Sequence, residues 1–539
     1  MSRAIDVAVV GSGPSGSLAA ERLVEAGLRV TLLDVARDDD QYRPLVPDRP
    51  FREIRERDEE QRRFFLGNEL EGVPRRNVHV GAQLTPPRQF VTRDSERLLP
   101  VSGEGFDPMQ SLALGGLGAT WGAASFTYTQ RERERIGIEE PGFEAYYEAV
   151  TRRIGVSSDP ADDTADAAFS ASGALPPLEL DTLARGILRV YREKRDGLVR
   201  DGFRLGRTPL AVLSRDLRGR LANPYHDMDF WSDARRSVFR PRYVISALAR
   251  WPRFELVRGA LVREFRCDET GADVSYRDLA SGEMRSLRAR RVLLCAGAIN
   301  SARIALHSLG LHGAAAPILC NPYHYRPCLV PRMLGRAAAD RRHSLSQLLG
   351  LLAPADAPDD PVSVQLYGYR SLLLFKLVKE LPLPPWAGLL VARLVVNSLC
   401  IAGVHHSDEP HEGKTLRVLA PEGDALPAVH FRYEPRAEET RLRLARERAL
   451  VKALRRLGLL PFARIDPGAA SSIHYAGTLP IGEGPGETHA DGRLRGAPRV
   501  YVGDSASWRF LPAKGLTFTI MANALRVADH LVRELGSEG

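Results

Sequence analysis

The stretch that decides the fold is VVGSGPSGS, Val9 to Ser17. Asp6 to Val10 is short, β-branched and bounded by glycine, which predicts a buried parallel strand running into Gly11-Ser12-Gly13-Pro14-Ser15-Gly16. Ser17 to Ala26 supplies good helix formers with Gly27 as C-cap, and Arg29 to Leu33 predicts a second strand ending at Asp34. A lone glycine loop is weak evidence, because it can be only a turn. With strand, helix and terminal acid in register, Gly11 permits the tight turn and Gly13 lets backbone approach a pyrophosphate. Gly16 lets helix and strand pack closely, and Asp34 can accept from a ribose hydroxyl. The motif is a dinucleotide grip that does not choose between NAD and FAD.

Composition sets the outer limits. A chain of 539 residues, 44% hydrophobic and 26% charged, buries a large core in two or more domains or one elaborate α/β unit. The formal charge of +8 comes from arginines spread along the chain without a lysine-rich block. No nucleic-acid partner is expected, while anionic membranes and phosphorylated substrates remain compatible. Cys267, Cys295, Cys320, Cys328 and Cys400 have no CxxC spacing, which points to a reducing, cytoplasmic setting with no metal centre. Only five residues precede Asp6, so no signal peptide is expected.

After Ala36 the strand and helix alternation lapses. Residues 37 to 75 are charged and proline-punctuated, an excursion with an exposed helix expected near Phe51 to Phe65. In Ser111 to Ser125, Gly115, Gly116, Gly118 and Gly122 predict backbone laid against something flat or anionic. Strands are expected in 254–266 and 273–277. Arg291 to Cys295 reads as a buried strand, Ala296-Gly297-Ala298 as a close turn, and Asn300 onward as a helix. Arg499 to Asp504 gives one more strand, closing in Gly503-Asp504, before an apolar helix at Leu516 to Leu531. The far end of the chain thus returns to the N-terminal unit.

Five separated elements resemble the glucose-methanol-choline (GMC) flavoprotein oxidoreductases in family order: VVGSGPSG, ALGGLGATWGAASF (113–126), RGALVREF (258–265), CAGAINSARIALHS (295–308), and HYAGTLPIG (474–482) with YVGDSASW and the last helix. The resemblance implies an α/β fold with a Rossmann-type FAD-binding domain, discontinuous in sequence, and an α+β substrate domain built on an antiparallel sheet. The expected divisions are 1–310, with excursions at 37–110 and 130–245; 311–470 for substrate; and 471–539, returning to the first domain. By the same resemblance Gly11, Gly13, Ser15 and Gly16 hold the pyrophosphate of FAD, Asp34 the adenosine ribose, and Val262 the adenine through its backbone. Gly115, Gly116, Gly118 and Thr120 border the flavin near the Gly297 turn, and Gly503, Asp504 and Ser505 close over the phosphate and ribityl chain. The glycine loop is most similar to that of pyranose oxidase-like members, where a histidine beside the tryptophan can carry a covalent flavin. Threonine at 120 cannot form that linkage, so non-covalent FAD is expected.

The resemblance also places His474, before Gly477-Thr478, as the catalytic histidine over the flavin, and a neutral imidazole suits removal of a hydroxyl proton. The family's second catalytic histidine or asparagine falls at Gly515, beside Lys514. Either Lys514 enters the site to steady an alkoxide or phosphate, or His474 works without a partner. In the substrate region strands are expected at Ser344–Leu352, Pro361–Tyr367, Val396–Val404 and Thr415–Leu419. The apolar segment 371–395, broken by prolines, reads either as a lid on the core or as a peripheral contact with a membrane interface. The expected reaction is oxidation of an alcohol on a sugar-like, amino-sugar or lipid-attached small molecule. The alternatives are a non-redox flavoprotein lyase or isomerase and a sterol or simple alcohol oxidase.

Overall fold

The computed structural model describes residues 4–72, 85–336, 342–368 and 383–538. Its organising element is a seven-stranded sheet. Phe254–Arg258, Val30–Asp34, Ile5–Val10, Met284–Leu294 and Val500–Val502 run parallel, in that spatial order. Ala272–Asp278 and Ala260–Cys267 extend the sheet antiparallel from the first half of Met284–Leu294. The predicted βαβ unit is present, with the helix at Pro14–Glu25, and Val500–Val502 joins from the far end of the chain.

Alternation along the first strand sorts its side chains between two cores. Val7 and Val9 face the Pro14–Glu25 and Thr517–Ser537 helices, while Ala8 and Val10 face the Ala298–Ser308 helix. Behind that helix lies a four-stranded sheet of Val101–Glu104, Val429–Tyr433, Lys414–Val418 and Ala316–Pro317. The strand expected at Thr415–Leu419 therefore belongs to this support and not to the substrate sheet.

The second large sheet is antiparallel throughout, in the order Leu460–Pro461, Tyr323–Leu329, Leu399–His405, Val362–Gly368, Leu348–Leu352, Phe203–Arg207. Its last strand comes from within 130–245, so 311–470 does not build the sheet alone. Leu348, Val364, Ala402 and Val404 pack outward under the Thr182–Glu193 and Ala437–Arg456 helices, which leaves Tyr323, Tyr325, Tyr367 and Ile401 on the opposite face. Two expected strands start late: Ser344 is bound to Asp229, and Val396–Ser398 forms a helical turn.

The region near Phe51 to Phe65 is not one exposed helix. Phe51–Arg57 and Arg62–Phe65 are separate helices, and Ile54, Phe64 and Phe65 bury themselves beside Trp231. Of the apolar segment 371–395, residues 371–382 lie outside the described residues. The remainder is the Pro385–Val395 helix, with Trp386 73% and Leu390 58% exposed. Among the described residues no helix is long and apolar enough to cross a membrane.

The tightest backbone approach is at the glycine loop. A Cβ on Gly16 would stand 1.9 Å from the Gly11 carbonyl oxygen, and one on Gly11 would stand 2.5 Å from that of Cys295. Both obstacles are main chain, so neither yields cheaply. Gly16→Ala is expected to lower apoprotein stability by about 3 kcal/mol, as overpacking against backbone does; a denaturant melt superimposable on wild type would contradict this.

Candidate active site

A cavity of about 790 Å³ lies between the C-terminal ends of the parallel strands and the tyrosine-bearing face of the antiparallel sheet. That is where an open α/β sheet ordinarily takes its ligand. Of the sequence-predicted residues, Gly11, Gly13, Ser15, Asp34, Gly116, Gly118, Thr120, Val262, Gly297, Asp504, Ser505 and His474 line this one cavity. Gly16, Gly115 and Gly503 stand directly behind it. Gly115 adopts φ +97° and donates its amide to the Ser12 hydroxyl at 2.9 Å, and Gly503 packs on Cys295.

The wall fits a dinucleotide. The helix beginning at Pro14 has no side-chain cap, so its first amides are uncapped toward the cavity, as a diphosphate requires. Beside it, a Cβ on Gly13 would meet nothing within 4 Å, which leaves room for a bound group. Asp34, at the end of its strand, accepts from the Ser12 and Ala36 amides at 2.6 Å each and keeps lone pairs for a ribose. Burial raises its pKa and the amides oppose the rise. A register shift between Val262 and Glu264 bends the strand where Val262 meets the cavity. Asp504 ties the turn after Met284–Leu294 to the C-terminal segment, accepting from the Gly297 amide at 2.9 Å and the Ser301 hydroxyl at 2.6 Å.

His474 is carried on a strained turn. Ile473 has φ +60°, costly for a β-branched residue, and Tyr475–Ala476, just after His474, pair with Leu319–Cys320. Ser505 accepts the Gly477 amide at 3.0 Å and donates to the Tyr475 carbonyl at 2.7 Å, which fixes the segment from below. The imidazole Nδ1 lies 3.0 Å from Asn321 Oδ1, and its ring stacks on His405 at 5.5 Å. Burial pushes its pKa down to about 4, so the ring is neutral at ordinary pH. His405 is held well below 6.5 by burial and by the neighbouring histidines.

Lys514 does not enter the cavity. Its ammonium is buried and donates to Glu132 at 2.6 Å and to the carbonyls of Ala167 and Thr127 at 2.6 and 3.0 Å. All three protons are engaged, so it has none to offer an alkoxide. Gly515 faces the Phe126 ring, and the residues that do reach the cavity there are Leu516 and Thr517. Sequence reasoning also missed Asn321, the tyrosines and Arg303. Arg303 is buried in the cavity wall with its Nε unpartnered, and burial alone pushes its pKa down to about 9.

His324, His406 and Glu447 also converge, within 4.8 Å, on the far side of the antiparallel sheet. Arg326 and Arg464 already hold the Glu447 carboxylate at 2.9 and 3.0 Å, so its charge is spent on guanidinium. Lys514→Met strands the buried Glu132 charge and is expected to cost about 3–5 kcal/mol of stability in a denaturant melt. Unchanged stability with lost turnover would instead return Lys514 to the chemistry.

Known proteins match this architecture. Residues 9–38 match the NAD(P)-binding Rossmann-like domain. The chain is 26% identical to a paromamine 6'-oxidase of Streptomyces fradiae and 25% identical to a 6'''-hydroxyparomomycin C oxidase of Streptomyces lividus. Those alignments cover 99% of this chain and 92% and 93% of the relatives. Among solved structures, a pyridoxine 4-oxidase from "Mesorbium loti" superposes with TM-score 0.55 at 17% identity, over 98% of this chain and 99% of that one. A formate oxidase from Aspergillus oryzae RIB40, in a study of FAD modification, superposes with TM-score 0.61 at 12% identity, over 99% of both chains. With a Rossmann-like unit at its start and likeness to named oxidases along its whole length, the chain is an FAD-dependent oxidoreductase that resembles the GMC type.

Proposed function

We propose that the protein oxidises a hydroxyl group on a small, sugar-like ring, with His474 taking the hydroxyl proton. The observation that carries this is the meeting of a neutral histidine with the glycine loops in one cavity. Bound FAD supplies the acceptor for the two electrons, leaving as hydride from the carbinol carbon. His474 supplies the base, and the cavity walls keep it neutral and ready to accept.

The opposite wall supports a ring-shaped substrate. Tyr323, Tyr325 and Tyr367 offer flat faces for a sugar's C–H surface, the tyrosines and Ser344 add hydroxyls, and Trp121 of the glycine loop lines the same cavity. The two Streptomyces relatives are named for oxidation of aminoglycosides, which favours a sugar or amino-sugar hydroxyl here. Thr120 stands where the family's covalent members carry a linking histidine, so the flavin is held without a bond.

The product is an aldehyde, ketone or lactone, detected by mass spectrometry as loss of two hydrogens from one sugar-like alcohol in a panel. A yellow enzyme that converts none of the panel would count against the substrate class. His474→Ala is expected to keep FAD and to slow turnover by about two orders of magnitude or more. For the wild type, the base is lost only as protonation sets in, so the rate is expected to hold from neutral pH down to about pH 5 and to fall through about 4. A fall already complete near pH 6 would contradict the depressed pKa. Acid denaturation is expected to release all flavin into the supernatant, and colour retained on the precipitated chain would overturn the non-covalent reading.

A further inference from the structure

Asn321 is buried, 2% exposed, in the segment that follows Leu319–Cys320. Its Nδ2 donates to the carbonyls of His406 and Pro512, both at 2.8 Å. Those two acceptors use both amide protons and fix which end of the side chain is nitrogen. A flipped amide would set Oδ1 against two carbonyl oxygens and strand both. The remaining atom, Oδ1, is an acceptor only, and it lies 3.0 Å from His474 Nδ1.

We infer that Asn321 is the positioning residue of the catalytic base, holding His474 as the Nδ1–H tautomer so that the lone pair of Nε2 is left for the substrate hydroxyl. This rests on the reading of His474 as the base. An acceptor can bind Nδ1 only when Nδ1 carries the proton, and a neutral imidazole has one proton to place. The tautomer is therefore set from outside the cavity, through two backbone carbonyls on the 406 and 512 segments. The restraint also costs no charge: a carboxylate in this place would stabilise the imidazolium and raise the pKa, whereas an amide orients the ring and leaves it neutral.

The other groups packed against the ring do not compete for Nδ1. From the Leu399–His405 strand, His405 presents its ring face, at 24° to that of His474, and from Tyr323–Leu329 Tyr323 packs on His405 at 4.7 Å. Cys320 turns its thiol to the Ser472 hydroxyl at 3.1 Å. Asp408 is spent on Lys414, the Cys320 amide and Tyr433 at 2.6, 2.9 and 2.8 Å.

The test is ¹⁵N NMR of the holoenzyme labelled at histidine side chains, with the His474 signals assigned by their loss in His474→Gln. At neutral pH the Nδ1–H tautomer is expected, with Nε2 at the shift of an unprotonated nitrogen. A protonated Nε2 in the wild type would overturn the assignment without need of any Asn321 variant. Asn321→Ala is expected to mix the tautomers and to slow flavin reduction at saturating substrate about 10- to 100-fold, with KM and bound FAD little changed, the size of one hydrogen bond to a group that becomes charged. A rate within twofold of wild type would overturn it. If instead His474→Ala reduces flavin at the normal rate, the base reading itself fails, whichever tautomer the spectrum records.

Discussion

Everything in the site depends on one contact between main chains. The Gly11 carbonyl, the start of the Pro14–Glu25 helix and the Cys295 carbonyl meet so closely that no side chain fits between them. That approach sets the uncapped helix terminus over the parallel strands, and it aligns the turn at Gly297 with the glycine loop. Asp504 then fastens the C-terminal segment to the same turn, so strands from the two ends of the chain and its middle share one cavity wall. The binding surface is therefore mostly backbone, which is why so many of its residues are small.

The opposite wall is chemically different. Its aromatic residues and neutral histidines add little formal charge to the cavity, and the buried lysines Lys514 and Lys414 are held by Glu132 and Asp408. Burial lowers the basicity of His474, which keeps the imidazole neutral at pH values where an exposed ring would be partly protonated. On the proposed reading, a weak base that is always available stands in for a stronger one that is half protonated.

Much of the nucleotide grip was legible because it is local. Strand, glycine turn, helix and acid occupy some thirty consecutive residues, and the periodicity of each element is its own signal. That His474 reaches the cavity was legible from the resemblance, which sets a histidine before Gly477-Thr478. Asn321 was not, because it reaches His474 only through the pairing of Leu319–Cys320 with Tyr475–Ala476, across 153 residues of sequence. Whether Lys514 enters the site stayed open for the same reason. Its place beside the last helix fits either answer, and only the fold brings Glu132, 382 residues away, to claim it. The edge strand Phe203–Arg207 was hidden in what reads as an excursion, since a five-residue amphipathic run shows its partner only in the sheet.

On the proposed reading, this cavity couples proton removal by His474 to reduction of bound flavin. The most direct measurement is an anaerobic scan of the holoenzyme's visible flavin band while sugar-like alcohols are added one class at a time. One class is expected to bleach the band in the wild type. A band that stays oxidised with every sugar and amino sugar, in protein that holds FAD, would contradict it and favour a flavin kept as scaffold.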